Sequence, residues 1–288
     1  MMNCAITGAN GYVGASFANY LRNKGLDVYE LRRSAVGNQL TDLHYVPYTL
    51  NTGVEPDKLK CIDILIHCAY DFRLTNWRDI VEINVNGSEK LFTAAKQAGV
   101  RRIILISTMS AFEGCKSMYG RAKLMIEKKA AAVKALIIRP GLVYGKNAAG
   151  MVGMLKKAAE SFKIIPLIGK GNQLLPLTHV DDLSDLAYKC CADSSVYGPD
   201  PIVAASETRK TFREILTILA KAGNKRPIFT QMPWFLIWSI IRMAEIVRLP
   251  IKFRSDSIIS LLNQEQSPSF EATRSIGIRF GDFHESYC

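Results

Sequence analysis

Thr7-Gly-Ala-Asn-Gly-Tyr-Val-Gly14 follows directly on an apolar run that begins at the first residue. Gly8, Gly11 and Gly14 therefore fall between the end of a strand and the start of a helix, where a dinucleotide pyrophosphate site needs them. Gly8 allows the tight turn, Gly11 lets the backbone approach phosphates, and Gly14 lets the helix pack close to the sheet. The loop and helix start, with Asn10, Tyr12 and Val13, offer unpaired N–H groups and a partial positive charge to an anion. An amphipathic helix over Tyr12–Lys24 follows, and Gly25 stops it.

Outward from this motif the chain alternates strand and helix. Apolar runs at Asn3–Thr7, Val28–Leu31, His44–Pro47, Ile62–Cys68, Arg102–Ser107 and Ala135–Arg139 predict buried parallel strands. Helical patterns span Tyr12–Lys24, Asp79–Ala98 and Ser117–Ala132. The fold class is α/β, a doubly wound parallel Rossmann sheet whose ligands sit at the carboxyl ends of the strands. After Gly145 shorter elements and Gly/Pro punctuation predict a smaller C-terminal substrate-binding lobe. The expected division gives residues 1–145 and part of 178–205 to the dinucleotide domain, and 146–177 and 206–288 to the lobe.

Composition bounds the function. The 288 residues are 48% hydrophobic and carry a net charge of +11. That charge suits anionic ligands or an anionic membrane face, or it simply serves solubility. No nucleic-acid motif accompanies it. No window reaches the ~18 charge-free apolar residues of a membrane span, and with the first strand starting at once no leader is expected. The seven cysteines lack metal-like spacing, so no metal site is expected, and they read as reduced thiols of a cytoplasmic protein.

Tyr119-Gly-Arg-Ala-Lys123 puts a phenol and an ammonium four residues apart, on one helix face. A Lys⁺ beside a Tyr favours the phenolate, so Lys123 is expected to lower the Tyr119 pKa and let it exchange a proton with a carbinol or carbonyl oxygen. Ser107-Thr108-Met109-Ser110, at the carboxyl end of the fifth strand, offers a hydroxyl to the same oxygen, or a turn or cap.

Taken together, these motifs resemble the extended short-chain dehydrogenase/reductases, the NAD(P)-dependent epimerase/dehydratase group acting largely on nucleotide sugars. Further carriers are Asp63–Ala69, Asn84-Val-Asn-Gly87, Ala98–Thr108, Arg139-Pro-Gly-Leu-Val-Tyr-Gly145 and His179-Val-Asp-Asp-Leu183. The resemblance implies that Tyr119 is the acid/base, that Lys123 binds the ribose and tunes Tyr119, and that Thr108 is the orienting hydroxyl, with Ser110 the fallback. It further implies that Ala69, Asn84 and Ser107 line the cofactor and that Pro140 lies near the nicotinamide. Met109 and Ser110 stand where the 4,6-dehydratases carry an Asp-Glu pair, which disfavours elimination of water. The expected reaction is therefore NAD(P)-dependent reduction or epimerisation at a secondary alcohol or ketone carbon, foremost on a nucleotide-activated sugar in polysaccharide biosynthesis. A non-sugar ketone reductase, or a non-catalytic dinucleotide-binding subunit or redox sensor, is the alternative.

The second strand ends Glu30-Leu-Arg32-Arg33. Arg32 takes the position assigned to the acidic ribose ligand of NAD enzymes, and two guanidiniums suit a 2′-phosphate, so NADP is expected ahead of NAD. Solvated loop arginines are the plainer alternative, and Glu30 is placed away from the ribose. Met232–Leu249 carries a stripe of Trp234, Ile237, Trp238, Ile241 and Ala244, with Arg242, Glu245 and Arg248 off it. A core helix of the lobe is favoured over peripheral membrane contact. A homodimer is implied by the resemblance, with Leu91 and Ala95 on the Asp79–Ala98 helix, together with the Ser117–Ala132 helix, as face candidates.

Overall fold

In the computed structural model, residues 2–33, 44–193, 195, 196, 198, 200–247, 249 and 253–284 are described. Arg248 and Cys288 lie outside them. The strands β1 (Asn3–Thr7), β2 (Asp27–Arg32), β3 (Tyr45–Pro47), β4 (Ile64–His67), β5 (Arg102–Ile106), β6 (Leu136–Pro140) and β11 (Ile202–Ala204) form one seven-stranded sheet. Its order is β11-β6-β5-β4-β1-β2-β3 and every pairing is parallel. This is the doubly wound fold that the alternation predicts. The strand order reverses beside β1, which puts the crevice between the β1 and β4 tips.

The period-2 alternation of strand side chains divides the core in two. Ala5, Leu65, Leu105 and Ile137 face α3 (Gly87–Gln97) and α4 (Met118–Ala132). Ile6, Ile66, Ile104 and Ile138 face α1 (Tyr12–Asn23) and α6 (Val180–Ala192). The helix expected over Asp79–Ala98 begins earlier, as α2 (Trp77–Asp79), and widens to i→i+5 turns over Ile80–Asn86 before α3. Leu91 and Ala95 are fully buried against the sheet, so they cannot form a dimer face.

A third core gathers α5 (Gly150–Ser161), β8 (Ile164–Ile168), α7 (Phe212–Ala222) and α9 (Ser255–Leu262) around Leu155, Leu167, Leu216 and Ile258. The helix α8 (Trp234–Ile246) lays only Ile237, Trp238 and Ile241 on this core, and none of its residues is buried. The expected core helix is thus half a core helix: its other face is open. Among the described residues no helix is long and apolar enough to cross a membrane.

Candidate active site

The strand order brings the loops after β6, β5, β4 and β1 side by side at one edge of the sheet. Between them and the third core lies a cavity of about 600 Å³. Gly8, Gly11, Tyr12, Val13, Gly14, Ser107, Thr108, Tyr119, Lys123 and Pro140 line it, as expected of site residues. Asn10, Arg32, Arg33, Ala69 and Asn84 do not line it.

The glycine loop is held by steric necessity. Gly8 has φ +70°, and a Cβ there would meet the Ala69 backbone nitrogen at 3.0 Å. A Cβ on Gly14 would lie 2.4 Å from the Gly8 carbonyl oxygen, so the helix could not approach the loop this closely. Below the loop, Thr7 Oγ1 accepts from the backbone N–H groups of Cys68 and Ala69, both at 3.1 Å. Its own hydrogen then goes to His67 Nδ1 at 2.7 Å, and His67 Nε2–H donates to Ser88 Oγ at 2.8 Å, which donates to the Asn84 carbonyl. Burial, then the charge of Lys123, pushes His67 down to about 3, so it stays neutral. Asn84, expected at the cofactor, instead accepts from the Asp71 N–H at 2.7 Å and holds the loop after β4. Ala69 stands directly behind Gly8, its backbone nitrogen 3.0 Å from where a Cβ there would lie.

The proton-transfer group sits on α4. Ser117 caps this helix, accepting from the Gly120 N–H at 3.0 Å. Asp256 of α9 accepts from the Met118 and Tyr119 N–H groups at 2.7 and 2.9 Å. These carboxylate contacts satisfy the free N–H groups of the first turn and set a negative charge against the helix's positive end. Gly120 lets the turn seat on the loop before it: a Cβ would lie 2.2 Å from the Ser110 carbonyl oxygen. One turn on, Lys123 Nζ donates to the Ile106 carbonyl at 2.9 Å and lies 5.3 Å from the Tyr70 ring centroid. Burial lowers Lys123 to about 8. The expected lowering of Tyr119 is corrected. Burial pushes its phenol up to about 12, and a hydrogen bond with Thr108 only partly opposes this. Desolvation outweighs a lysine whose hydrogen bond is aimed elsewhere.

Thr108 faces Tyr119, whereas Ser110 Oγ is turned to Ser260 Oγ at 2.9 Å. Ser107 Oγ bonds Glu127, which also takes a two-pronged contact from Arg139 at 2.9 and 2.6 Å. This ion pair is buried, with side chains 15% and 5% exposed. It fixes the carboxyl-side loop of β5 to α4 and β6.

Sequence reasoning missed Tyr70 and Phe72. Their rings stand 5.1 and 5.4 Å from that of Tyr119. The signal was available: both follow β4 at the crevice. It also missed Asp256, and Glu245, which lines the cavity from α8 and accepts from Arg254 Nε and the Ser255 N–H, each at 2.9 Å.

A dinucleotide fits the residues present. Gly8, Gly11 and Gly14 hold the loop tight against the sheet and the helix start, and all three line the cavity. At the β2 tip, Arg32 is buried with Nε and Nη2 without a partner among the described residues, while Nη1 lies 3.5 Å from Asn10 of the loop. The Glu30 carboxylate pairs with Arg32 at 3.1 Å and with Arg22 at 2.7 Å. Residues i and i+2 of a strand share a face. Arg33 is exposed at the bend that follows.

The ceramide reductase of Caulobacter vibrioides is 29% identical over 238 residues, spanning 80% of this chain and 73% of that protein. The bovine sterol-4-alpha-carboxylate 3-dehydrogenase, decarboxylating, is 24% identical over 206 residues, 62% of this chain and 57% of that protein. MoeE5, solved in complex with UDP-glucose and NAD, superposes with a TM-score of 0.76 at 20% identity, covering 99% of this chain and 95% of that one. The sequence model of the NAD dependent epimerase/dehydratase family matches residues 4–204. A match over so much of the chain, on a doubly wound sheet with the glycine cradle in place, shows that this protein belongs to the NAD dependent epimerase/dehydratase family.

Proposed function

We propose that this protein is a reductase of the family that exchanges hydride with a secondary alcohol or ketone carbon on a largely apolar substrate. The carrying observation is the lining of the cavity. Phe72, Leu74, Met109, Met118, Met151 and Leu175 line the same cavity as Tyr119, beside the hydroxyls of Ser110, Ser257 and Ser260. The charged side chains on it are engaged: Arg254 with Glu245, Asp256 with the α4 N–H groups, Lys123 with Ile106. A diphosphate would find few free donors there, whereas an alkyl or ring substrate would be desolvated by the walls. The relatives named for a ceramide and a sterol carboxylate agree with this chemistry. In this reading residues 146–177 and 206–288 form the substrate lobe.

The nicotinamide, when bound, supplies or accepts the hydride. Tyr119, protonated throughout the neutral range, donates its proton to the carbonyl oxygen. Thr108 donates a second hydrogen bond to that oxygen, stabilising the charge that develops on it. Lys123, charged below about pH 8, adds positive potential beside it. A protonated phenol is the form that reduction needs, which favours reductase over dehydrogenase direction.

A nucleotide-activated sugar is the second reading, favoured by the likeness to the structure solved with UDP-glucose. A panel of detergent-dispersed long-chain and ring ketones, set against nucleotide sugars, separates the two by NADPH oxidation. Turnover of the apolar ketones alone is expected. Turnover of nucleotide sugars alone overturns the apolar reading.

For the cofactor we propose NADP over NAD. Arg32 supports this: its Nη1 pairs with Glu30, while Nε and Nη2, without a partner among the described residues, are left to take a 2′-phosphate beside the loop. In paired titrations, Arg32→Ala is expected to weaken NADPH roughly tenfold or more and leave NADH nearly unchanged. Equal affinities in the native protein would contradict the assignment.

A further inference from the structure

The outer face of α8 has no partner among the described residues. Leu236, Ile240, Met243 and Val247 follow one another at helical i, i+4, i+7, i+11 spacing. Phe235 and Ile246 flank them. Phe235 is 52% exposed, Ile240 63%, Met243 60% and Ile246 62%. This is not the scatter of single apolar residues found on any surface. Both faces of the helix are apolar, one spent on the third core and one open.

We propose that this face docks the protein onto an anionic lipid bilayer, with α8 lying in the interface plane. Charge decides between occupants. Among the described residues from 225 to 254 the charged ones are Lys225, Arg226, Arg242 and Arg254 against the single acid Glu245. Glu245 is turned inward, its side chain 5% exposed, and holds Arg242 and Arg254. A second copy would set this positive collar against itself. An anionic headgroup layer complements it, and the open face would enter the acyl boundary. Trp234 begins the helix, 44% exposed, as an aromatic ring suited to the headgroup level. The helix spans 13 residues, short for crossing and ample for lying flat.

The docked helix is also a wall of the cavity. Glu245 faces into it and fixes Arg254 and Ser255, next to the Asp256 that caps the Tyr119 helix. Docking thus brings the site to the phase in which an apolar substrate is dissolved. This last step rests on the substrate reading above; the docking itself does not.

The test is co-sedimentation of the full chain with phosphatidylcholine vesicles with and without phosphatidylglycerol. Binding to the anionic vesicles is expected, falling as salt rises. Ile240→Glu/Met243→Glu should reduce it roughly tenfold or more. Lys225→Glu/Arg226→Glu should weaken it on anionic vesicles by a similar factor. Both variants should melt and bind NADPH as the native protein does. Native protein that ignores anionic vesicles overturns the proposal, as does undiminished binding by the Ile240→Glu/Met243→Glu variant. A native dimer split by the same variant, without vesicle binding, would assign the face to self-association instead. Turnover of dispersed ketones is read without vesicles, so failure here and failure of the substrate reading are told apart.

Discussion

Replacing Tyr119 by Phe is expected to lower turnover ~10²-fold or more, the scale of losing a positioned acid/base, while folding and dinucleotide binding stay nearly intact. The ring remains to pack against Tyr70 and Phe72, so only the hydroxyl is lost. Thr108→Val should also lower turnover, because its hydroxyl faces the phenol, whereas Ser110→Ala should matter little, its hydroxyl being turned to Ser260. The pH profile carries a sign. Lys123 holds its proton below about 8 in the folded protein, well under its ordinary value. Reduction should therefore slow as pH rises through about 8 and the positive charge beside the phenol is lost. Lys123→Met should remove that inflection. Native-level turnover by Tyr119→Phe would refute the role assigned to the phenol.

The second large effect is on stability. Glu127→Ala leaves the Arg139 guanidinium buried without its carboxylate. Burial works against that charge, and the Glu127 contact, with smaller help from Glu265, outweighs it. Removing one partner of a buried ion pair costs about 3–5 kcal/mol, and Ser107 loses its acceptor as well. Urea unfolding should report that loss. A combined Glu127→Met/Arg139→Leu variant should recover most of it, since no buried charge is then left unpaired. A Glu127→Ala loss under about 1 kcal/mol would mean that Arg139 finds another partner.

The sheet was legible because buried parallel strands read as continuous apolar runs and the glycine loop marks their carboxyl edge. β1 matches its expected span residue for residue and the next five strands of the sheet differ only at their ends, whereas Ile202–Ala204, three residues long, was not among the expected strands. The Thr108–Tyr119–Lys123 group was legible for the same reason: a strand end and a helix face are local patterns. Long-range partners were not legible. Asp256 reaches the α4 N-terminus across 137 residues of sequence, and nothing local announces it. Strand alternation sets Glu30 on the face of Arg32, but the ion pair between them was not read from the spacing. Leu91 and Ala95 were offered as a dimer face on helix position alone, and the sheet buries them. For α8, periodicity found the inner stripe of Ile237, Trp238 and Ile241 but not that the opposite face is open, since which apolar face finds a partner depends on the packing of the whole lobe. Lys123 shows the same limit in electrostatics: spacing places it one turn from Tyr119, but burial decides both of their proton affinities.

The central claim is that the crevice beside Gly8 and Tyr119 transfers hydride to an apolar carbonyl. Its most direct test is a single turnover with NADPH carrying deuterium at the transferable nicotinamide position and a long-chain ketone, with the product read by mass spectrometry. The account predicts deuterium on the new carbinol carbon, and its loss in Tyr119→Phe. Transfer to a nucleotide sugar with none to any apolar ketone would contradict it.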